Sequence, residues 1–173
     1  SDPTKFAKPP YYNDGLSGRP DGMQTKFADH NAYTLRTGKE PSGLAFDGTY
    51  LWVAHKDETF VSKVDVLDYS FENIEVDGAT EKMVLGADHV WAVQPDNSTV
   101  SKINASNNQV TNISVDSDPY GIEFDGTKVW ITHVQDPGII SSIDTTDNDA
   151  VATITNERPY PIGIAYDPDG YVW

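Results

Sequence analysis

The apolar residues of this chain come in short runs of strand length that alternate with turn residues. The runs are rich in Val, Ile, Phe, Tyr, Trp and Thr, and apolar residues nowhere recur at helical spacing for long enough to predict a helix. Asp47-Gly48 and Asp125-Gly126 separate two pairs of runs, where glycine accepts a positive φ and aspartate can bond its own backbone. The pattern predicts an all-β chain of antiparallel hairpins.

Four tryptophans show that these runs belong to a repeat. Trp52, Trp91, Trp130 and Trp173 are spaced by 39, 39 and 43 residues, and each lies in the second apolar run of its unit. Three units open on a Pro-x-Gly segment, whereas the unit of Trp91 is degenerate at its opening. Four short runs per unit, at a period of roughly 40 residues, are typical of a β-propeller blade.

We therefore predict an all-β fold, a β-propeller of four-stranded antiparallel blades with an irregular N-terminal arm. About three and a half blades are expected, because the fourth unit holds only its first two runs. The predicted division is an extended arm at 1–29 and a propeller segment at 30–173. Within that segment we expect an outer strand at 30–37, blades at 41–77, 80–116 and 119–156, and a partial blade at 159–173.

A half blade exposes apolar side chains that a neighbouring blade would cover. Each large side chain left exposed forgoes about 1.5–3 kcal/mol, which is large beside a domain's net stability of about 5–15 kcal/mol. We expect the segment to be the N-terminal part of a larger propeller, with an arc completed by neighbouring chains as the alternative.

Charge is distributed unevenly and limits the classes of partner. The chain has a formal net charge of −15; residues 1–40 carry six basic and five acidic groups, and residues 41–173 carry six basic and 22 acidic groups. Phosphates would be repelled by the acidic segment, which argues against nucleic acid and anionic lipid. Two interpretations stay open. One is solubility or a salty environment, and the other is a surface for cations or a cationic partner.

Two further features of composition bear on location. The chain has no cysteine, so disulfides and thiol chemistry are excluded. No apolar run is long enough to span a membrane, and no signal-peptide core lies near Ser1. The sequence leaves the compartment undetermined, with a virion or an extracellular surface as the setting that suits a tethered module.

The N-terminal arm combines prolines with scattered aromatic residues and has no strand or helix periodicity. Phe6, Tyr11, Tyr12 and Phe27 are the candidate anchors. A disordered leader is one interpretation, because so little apolar surface cannot fold alone. The other is an arm that orders on a partner and tethers the propeller to a larger assembly, such as a virus particle or a cell-surface layer.

The repeat resembles that of a known group of propellers. Pro-x-Gly-Ile/Leu-x-Phe/Tyr-Asp-Gly followed by Trp-Val/Ile-x-His, over roughly residues 30–173, is similar to the blade motif of the streptogramin B lyase-like and NHL-type propellers. The resemblance implies a fold that hosts a metal-assisted lyase, other enzymes and many binding modules. Lyase sites of this kind use His and Glu, and only the position three residues after the tryptophan matches here, at His55, Gln94 and His133.

These three residues are the candidate binding residues, and we predict no catalytic or metal-ligating residue. His55 and His133 occupy equivalent places two blades apart, too far to share a metal at the ~2.0–2.1 Å that zinc requires. They would either be hydrogen-bonded within a blade or contact a ligand in a surface pocket. The acidic runs 144–149 and 167–170 lack the spacing of a helical calcium loop, so we expect no cofactor, with calcium as the minor alternative.

The sequence thus predicts a non-enzymatic binding or scaffold module, tethered by its arm to protein partners in a larger assembly. It predicts neither nucleic-acid binding nor membrane insertion, and leaves a homo-oligomer open. The alternative function is a streptogramin lyase-like propeller enzyme whose catalytic blades lie beyond Trp173. A purely structural particle subunit, completed by its neighbours, is a third interpretation.

Overall fold

A computed structural model describes residues 25–27, 32–147, 149–156, 158–167 and 169–173, and it confirms the predicted all-β fold. Three four-stranded antiparallel sheets follow one another along the chain, each made of four consecutive strands. Blade 1 consists of β3 (Pro41–Phe46), β4 (Tyr50–His55), β5 (Phe60–Asp65) and β6 (Phe71–Glu75). Blade 2 consists of β7 (Met83–Gly86), β8 (His89–Gln94), β9 (Thr99–Asn104) and β10 (Val110–Ser114). Blade 3 consists of β11 (Pro119–Phe124), β12 (Lys128–His133), β13 (Gly138–Asp144) and β14 (Ala150–Asn156).

A separate two-stranded hairpin precedes blade 1. It pairs β1 (Thr25–Phe27) antiparallel with β2 (Ala32–Thr34), so a strand lies inside the region predicted as an extended arm. Strand β2 falls within the outer strand predicted at 30–37. Phe6, Tyr11 and Tyr12 lie outside the described residues, and Phe27 is described only by its place in β1. The predicted domain limits stay predictions.

The blades stack face to face, and the apolar core lies between them. We call the side of a blade toward the next blade its trailing face and the opposite side its leading face. Between blades 1 and 2 the core joins a trailing face with a leading face; its buried members are Trp52, Ala54, Val61, Ile74, Met83, Val90, Ala92 and Ile103. Between blades 2 and 3 it contains Trp91, Val93, Val100, Ile122, Val129, Ile131 and Ile143. Successive side chains of a strand point to opposite faces of the sheet, so each strand contributes apolar residues to the cores on both sides of its blade.

In blades 1 and 3, hydrogen bonds connect the aspartate of the Asp-Gly turn to the tryptophan of the same unit. Asp47 accepts backbone N–H bonds from Thr49 and Tyr50 at 2.8 and 2.6 Å, and its second carboxylate oxygen accepts the Trp52 indole N–H at 2.8 Å. Asp125 binds Trp130 at 2.6 Å in the same way. Burial alone would raise the pKa of Asp47, but these bonds and the nearby Lys63 charge hold it below the ordinary value. The turn therefore fixes the ring that fills the core.

In the degenerate second unit, the tryptophan indole N–H has a different hydrogen-bond acceptor. Gly86 stands where the other units have aspartate, and its carbonyl oxygen accepts the Trp91 indole N–H at 2.9 Å. The Phe124 ring from blade 3 lies against the Gly86 backbone so closely that a side chain at this position would overlap it. Loss of the aspartate therefore comes with close packing of the Phe124 ring on the backbone at this position.

Gly86→Ala should destabilise the chain by about 1–3 kcal/mol, because the added methyl group overpacks the contact with Phe124. Urea unfolding followed by circular dichroism measures the change. In the Phe124→Ala background the same substitution should cost clearly less, since the ring that it meets is gone. An equal cost in both backgrounds would place the strain elsewhere.

Residues 161–167 and 169–173 bring two further short segments into antiparallel pairing. Tyr166 and Val172 make an antiparallel bridge, and Ala165 and Trp173 exchange two backbone hydrogen bonds of 3.0 and 2.8 Å. The Trp173 indole N–H donates to Asp167 at 2.7 Å, as in blades 1 and 3. This segment packs on blade 3 at Gly121, where the carbonyl oxygen of Ile162 lies 3.1 Å from the position of an added Cβ.

Candidate functional site

The three candidate residues occupy one repeated position at the end of the second strand of each blade. His55, Gln94 and His133 are fully buried. Each bonds a backbone carbonyl oxygen 16 residues earlier in the chain, at 3.2, 3.2 and 2.9 Å. Each also bonds a hydroxyl group of the third strand, on Ser62, Thr99 and Ser141, at 3.0, 2.7 and 2.9 Å. The three side chains thus connect the loop that precedes a blade to the third strand of that blade.

Gln94 indicates which form of the histidines fits this position. Its amide nitrogen donates to the Gly78 carbonyl oxygen, and its amide oxygen accepts the Thr99 hydroxyl hydrogen. The neutral His55 tautomer with its hydrogen on Nδ1 has the same polarity, because the Lys39 carbonyl oxygen can only accept. Nε2 then lies 3.0 Å from the Ser62 hydroxyl oxygen, whose single hydrogen is shared between Nε2 and the Asn73 side-chain oxygen at 2.9 Å. Both histidines and Gln94 therefore have in common the bond to the preceding carbonyl oxygen and the contact with a third-strand hydroxyl group.

Acid should destabilise the chain through His55. Burial lowers the pKa of His55 below its usual 6.5, against smaller raising effects of the Lys39 carbonyl and the Glu58 charge. Since the unfolded chain binds this proton more readily, the free energy of unfolding should fall as pH drops from about 6.5 toward the folded pKa. His55→Gln keeps both hydrogen bonds and should flatten this part of the pH dependence. Urea titrations of both proteins at about pH 7.5 and about pH 5.5 test it; identical pH dependence would contradict the assignment.

Two lysines, Lys63 buried and Lys102 partly buried, join adjacent blades, and sequence reasoning missed them. Lys63 in β5 lies over the Tyr50 and Trp52 rings, 4.4 and 5.0 Å from their centroids. Its ammonium donates to the carbonyl oxygen of Ala105 and the side chain of Asn108, each at 2.9 Å, in the β9–β10 turn of blade 2. The side chain reaches across the boundary between blades 1 and 2, so it holds the two blades in register.

Lys102 repeats this arrangement between blades 2 and 3. It lies 5.1 Å from the centroid of the Trp91 ring and forms an ion pair with Asp149, 2.6 Å from one carboxylate oxygen. A sequence signal existed, because each lysine lies between a serine and an aliphatic residue, in Ser62-Lys63-Val64 and Ser101-Lys102-Ile103. The third unit has Ser142 at this place, so the lysine contact is not repeated on its trailing face.

A cleft of about 720 Å³ opens between the turns of blades 1 and 2. It mixes apolar surface with carboxylates and amides, and its lining residues are Asp47, Thr49, Tyr50, Leu85, Gly86, Ala87, Asp88, Asn104, Ala105 and Ser106. No histidine lines it, so His55 and His133 do not contribute to this cleft. An acidic and partly apolar cleft of this size suits a cationic or neutral group better than an anion.

The described residues contain no group of three or more His, Cys, Asp or Glu side chains that could hold a metal ion. The acidic runs at 144–149 and 167–170 use carboxylates to cap their own turns: Asp144 accepts the Thr146 N–H at 3.0 Å, and Asp167 the Asp169 N–H at 3.0 Å. Within the same described part, no helix is long and apolar enough to cross a membrane.

The stacked four-stranded sheets make this chain a β-propeller by fold. Solved structures agree: a virginiamycin B lyase from Staphylococcus aureus superposes with a TM-score of 0.68 at 18% identity, over 78% of this chain and 48% of the lyase chain. Hydrazine synthase of Kuenenia stuttgartiensis gives a TM-score of 0.71 at 20% identity, over 88% and 44%. A nidogen–laminin complex gives 0.62 at 15% identity, over 78% and 57%.

These likenesses establish the fold alone, since the identities are low. The chain spans about half the length of the lyase and synthase chains that it resembles. No family model and no curated protein matches the sequence. The neighbours include enzymes as well as a complex of binding proteins, so the function has to be argued from the residues of this chain.

Proposed function

We propose that this propeller is a non-catalytic binding or scaffold module for protein partners. One observation carries the proposal: in the described part of the chain, the two histidines that hydrogen-bond a serine are buried and engaged in holding the blades. His55 with Ser62 and His133 with Ser141 have no exposed surface. What solvent meets instead is a set of acidic turns and apolar sheet faces, which is the composition of a recognition surface rather than a reaction centre.

The charge favours a cationic protein partner. Residues 41–173 carry 22 acidic and six basic groups, and the described turns present exposed carboxylates such as Asp68 and Asp88. Such a surface accelerates encounter with basic partners and repels phosphates. His55, Gln94 and His133 are buried and would have to become exposed before they could contact a ligand. In this proposal they therefore stabilise the blades beneath the surface and do not contact the partner.

The N-terminal region is proposed as the tether to a larger assembly, with Phe6, Tyr11, Tyr12 and Phe27 as anchors. Sedimentation of extracts from the cells or particles that make the chain tests this. The full chain should travel with the assembly, and a Phe6→Ser, Tyr11→Ser, Tyr12→Ser variant should be released from it. A Tyr160→Ser variant, which loses an exposed tyrosine from the described region, is the matched control. Full chain that sediments at the mass of the isolated protein would overturn the proposal.

A second candidate is an enzyme of the streptogramin lyase type, which the superposition on virginiamycin B lyase favours. Because the catalytic blades of this alternative would lie beyond Trp173, the test incubates the protein at its natural length with a type B streptogramin and follows the product by mass spectrometry. We expect no ring opening. Turnover that the His55→Gln, His133→Gln double variant abolishes would overturn the binding proposal, because glutamine preserves the hydrogen bonds of the blade and removes only imidazole chemistry.

A further inference from the structure

We propose that Lys63 and Asn108 react to form an isopeptide bond that links blade 1 covalently to blade 2, with Glu72 as the proton carrier. The amine of the lysine replaces the amino group of the asparagine side chain, and that amino group leaves as ammonia. The proposal rests on the order in which the three side chains meet. It goes beyond the proposed binding function and does not depend on it.

The fold brings the lysine and the asparagine together, since they lie 45 residues apart in the chain. The distance between Lys63 Nζ and Asn108 Oδ1 is 2.9 Å. The nitrogen is therefore held against the carboxamide group whose carbon atom it attacks. Because Lys63 is 6% exposed, bulk water has little access to the nitrogen. Before the bond forms, the same side chains hold the two blades by hydrogen bonds alone.

A carboxylate contacts the group that has to leave. The Asn108 side-chain nitrogen Nδ2 donates to Glu72 Oε1 at 2.9 Å. Glu72 pairs directly with Lys63 across strands β5 and β6, so both side chains stand on the trailing face of blade 1. The carboxamide of Asn108 thus lies between the attacking nitrogen and a carboxylate. A carboxylate hydrogen-bonded to the leaving nitrogen can carry the protons that the reaction moves.

The other surroundings of the lysine leave its nitrogen available to the carboxamide. Its second hydrogen-bond partner is the Ala105 carbonyl oxygen at 2.9 Å, and the Tyr50 and Trp52 rings have their centroids 4.4 and 5.0 Å away. Among the described residues, its hydrogen-bond partners are neutral groups, and none of the ion pairs includes it. An ion pair would draw the nitrogen toward a carboxylate and away from Asn108.

The reaction balances without a co-reactant. Glu72 first takes a proton from the lysine ammonium, and the electron pair freed on Nζ attacks the side-chain carbon Cγ of Asn108. Glu72 passes this proton to Nδ2 and takes a second one from Nζ. The Cγ–Nδ2 bond then breaks, ammonia leaves, and it takes the second proton from Glu72. One ammonium group and one carboxamide become one secondary amide and one ammonium ion, so atoms and charge are conserved.

The boundary between blades 2 and 3 has the lysine without the rest of this arrangement. Lys102 meets Asp149 in an ion pair with a distance of 2.6 Å, and a carboxylate held in this way has no amino group to lose. Thr111 pairs with Lys102 at the place where Glu72 pairs with Lys63. Because the proton carrier is missing from the equivalent position, we expect a link at the first boundary and none at the second.

Intact-mass spectrometry of the folded 173-residue chain tests the proposal. We expect the main species to be lighter than the sequence by one ammonia molecule. Trypsin should then release residues 57–82, uncut after Lys63, joined to residues 103–128. A loss of one water molecule, with Lys102 joined to Asp149, would contradict the assignment to the first boundary.

Three variants identify the groups that react. Lys63→Arg keeps the positive charge, and Glu72→Gln keeps an acceptor for Asn108, so both should retain the circular dichroism spectrum and the full mass of an unlinked chain. Glu75→Gln is the matched control. Glu75 lies in the same strand on the opposite face, so this variant should lose ammonia as the parent chain does.

The other outcomes would overturn the proposal. A parent chain of full mass would exclude the bond. A loss of ammonia that persists in Lys63→Arg would also exclude it, because asparagine can release ammonia by cyclising on its own backbone. Joined peptides in the Glu72→Gln variant would overturn the role of Glu72 as proton carrier.

Discussion

Trp91→Ala is expected to cost about 3–5 kcal/mol, a large part of the roughly 5–15 kcal/mol that stabilises a domain. The indole is fully buried between blades 2 and 3, its N–H donates to the Gly86 carbonyl oxygen, and Lys102 lies over its ring. Alanine would leave a cavity, an unsatisfied carbonyl oxygen and a lysine without its aromatic contact. Urea unfolding at one protein concentration measures the loss, and the melting temperature should fall by about 10 °C or more.

The control for this prediction is Leu67→Ala, an exposed apolar residue on the β5–β6 turn. Its change in unfolding free energy should stay within about 0.5 kcal/mol. Trp91→Phe should fall between the two, since it keeps most of the buried ring and loses the N–H. Equal losses for Trp91→Ala and Leu67→Ala would mean that the blades do not share a cooperative core.

Lys63→Ala is expected to cost about 2–4 kcal/mol, although lysine is usually a surface residue. Its side chain is 6% exposed, and its ammonium bridges to Ala105 and Asn108 across the boundary between blades 1 and 2. Asn108 also donates to Glu72 in blade 1, so it is held by two contacts with that blade. Removal of the lysine leaves two acceptors without a donor and the Tyr50 and Trp52 rings without their cover.

Lys63→Met separates the two parts of this effect. Methionine keeps the length and apolar contact of the stem and removes the charge and its hydrogen bonds, so a smaller loss than for alanine is expected. The free energy of unfolding in urea decides between them. If methionine and alanine cost the same, the hydrogen bonds carry the contribution; if methionine costs nothing, the ammonium contributes none.

The blades could be predicted from sequence because their determinants are local. Strand alternation, the Asp-Gly turns and the tryptophan recur within a few residues of one another, and the structure has the three predicted four-stranded blades. The bond from Asp47 to Trp52 spans only five residues. Such short-range patterns survive even in the second unit, where Gly86 replaces the aspartate and the indole still finds an acceptor.

Contacts between blades could not be predicted in the same way. The burial of Lys63 depends on a turn 42 residues away, and a lysine in a strand is ordinarily taken as exposed. For the residue three after the tryptophan, the sequence left a hydrogen-bonded role and a ligand-contacting role open. The described contacts of His55, Gln94 and His133 are all within the chain; ligand binding by these residues stays a prediction, as does the anchoring role of Phe6, Tyr11, Tyr12 and Phe27.

Every sheet here joins strands that are consecutive along the chain, so no blade borrows a hydrogen-bonded strand from another described blade. The loops between paired strands are therefore short, so the entropic cost of closing them is small. Each blade can then form rapidly during synthesis. The same connectivity makes the array modular. Duplication or loss of one unit changes the number of blades and leaves the strand order within every other sheet unchanged. A change in the number of units must preserve the complementarity between the tryptophan-bearing face of one blade and the apolar face of the next. Substitutions at these two faces are therefore constrained together during evolution of the repeat.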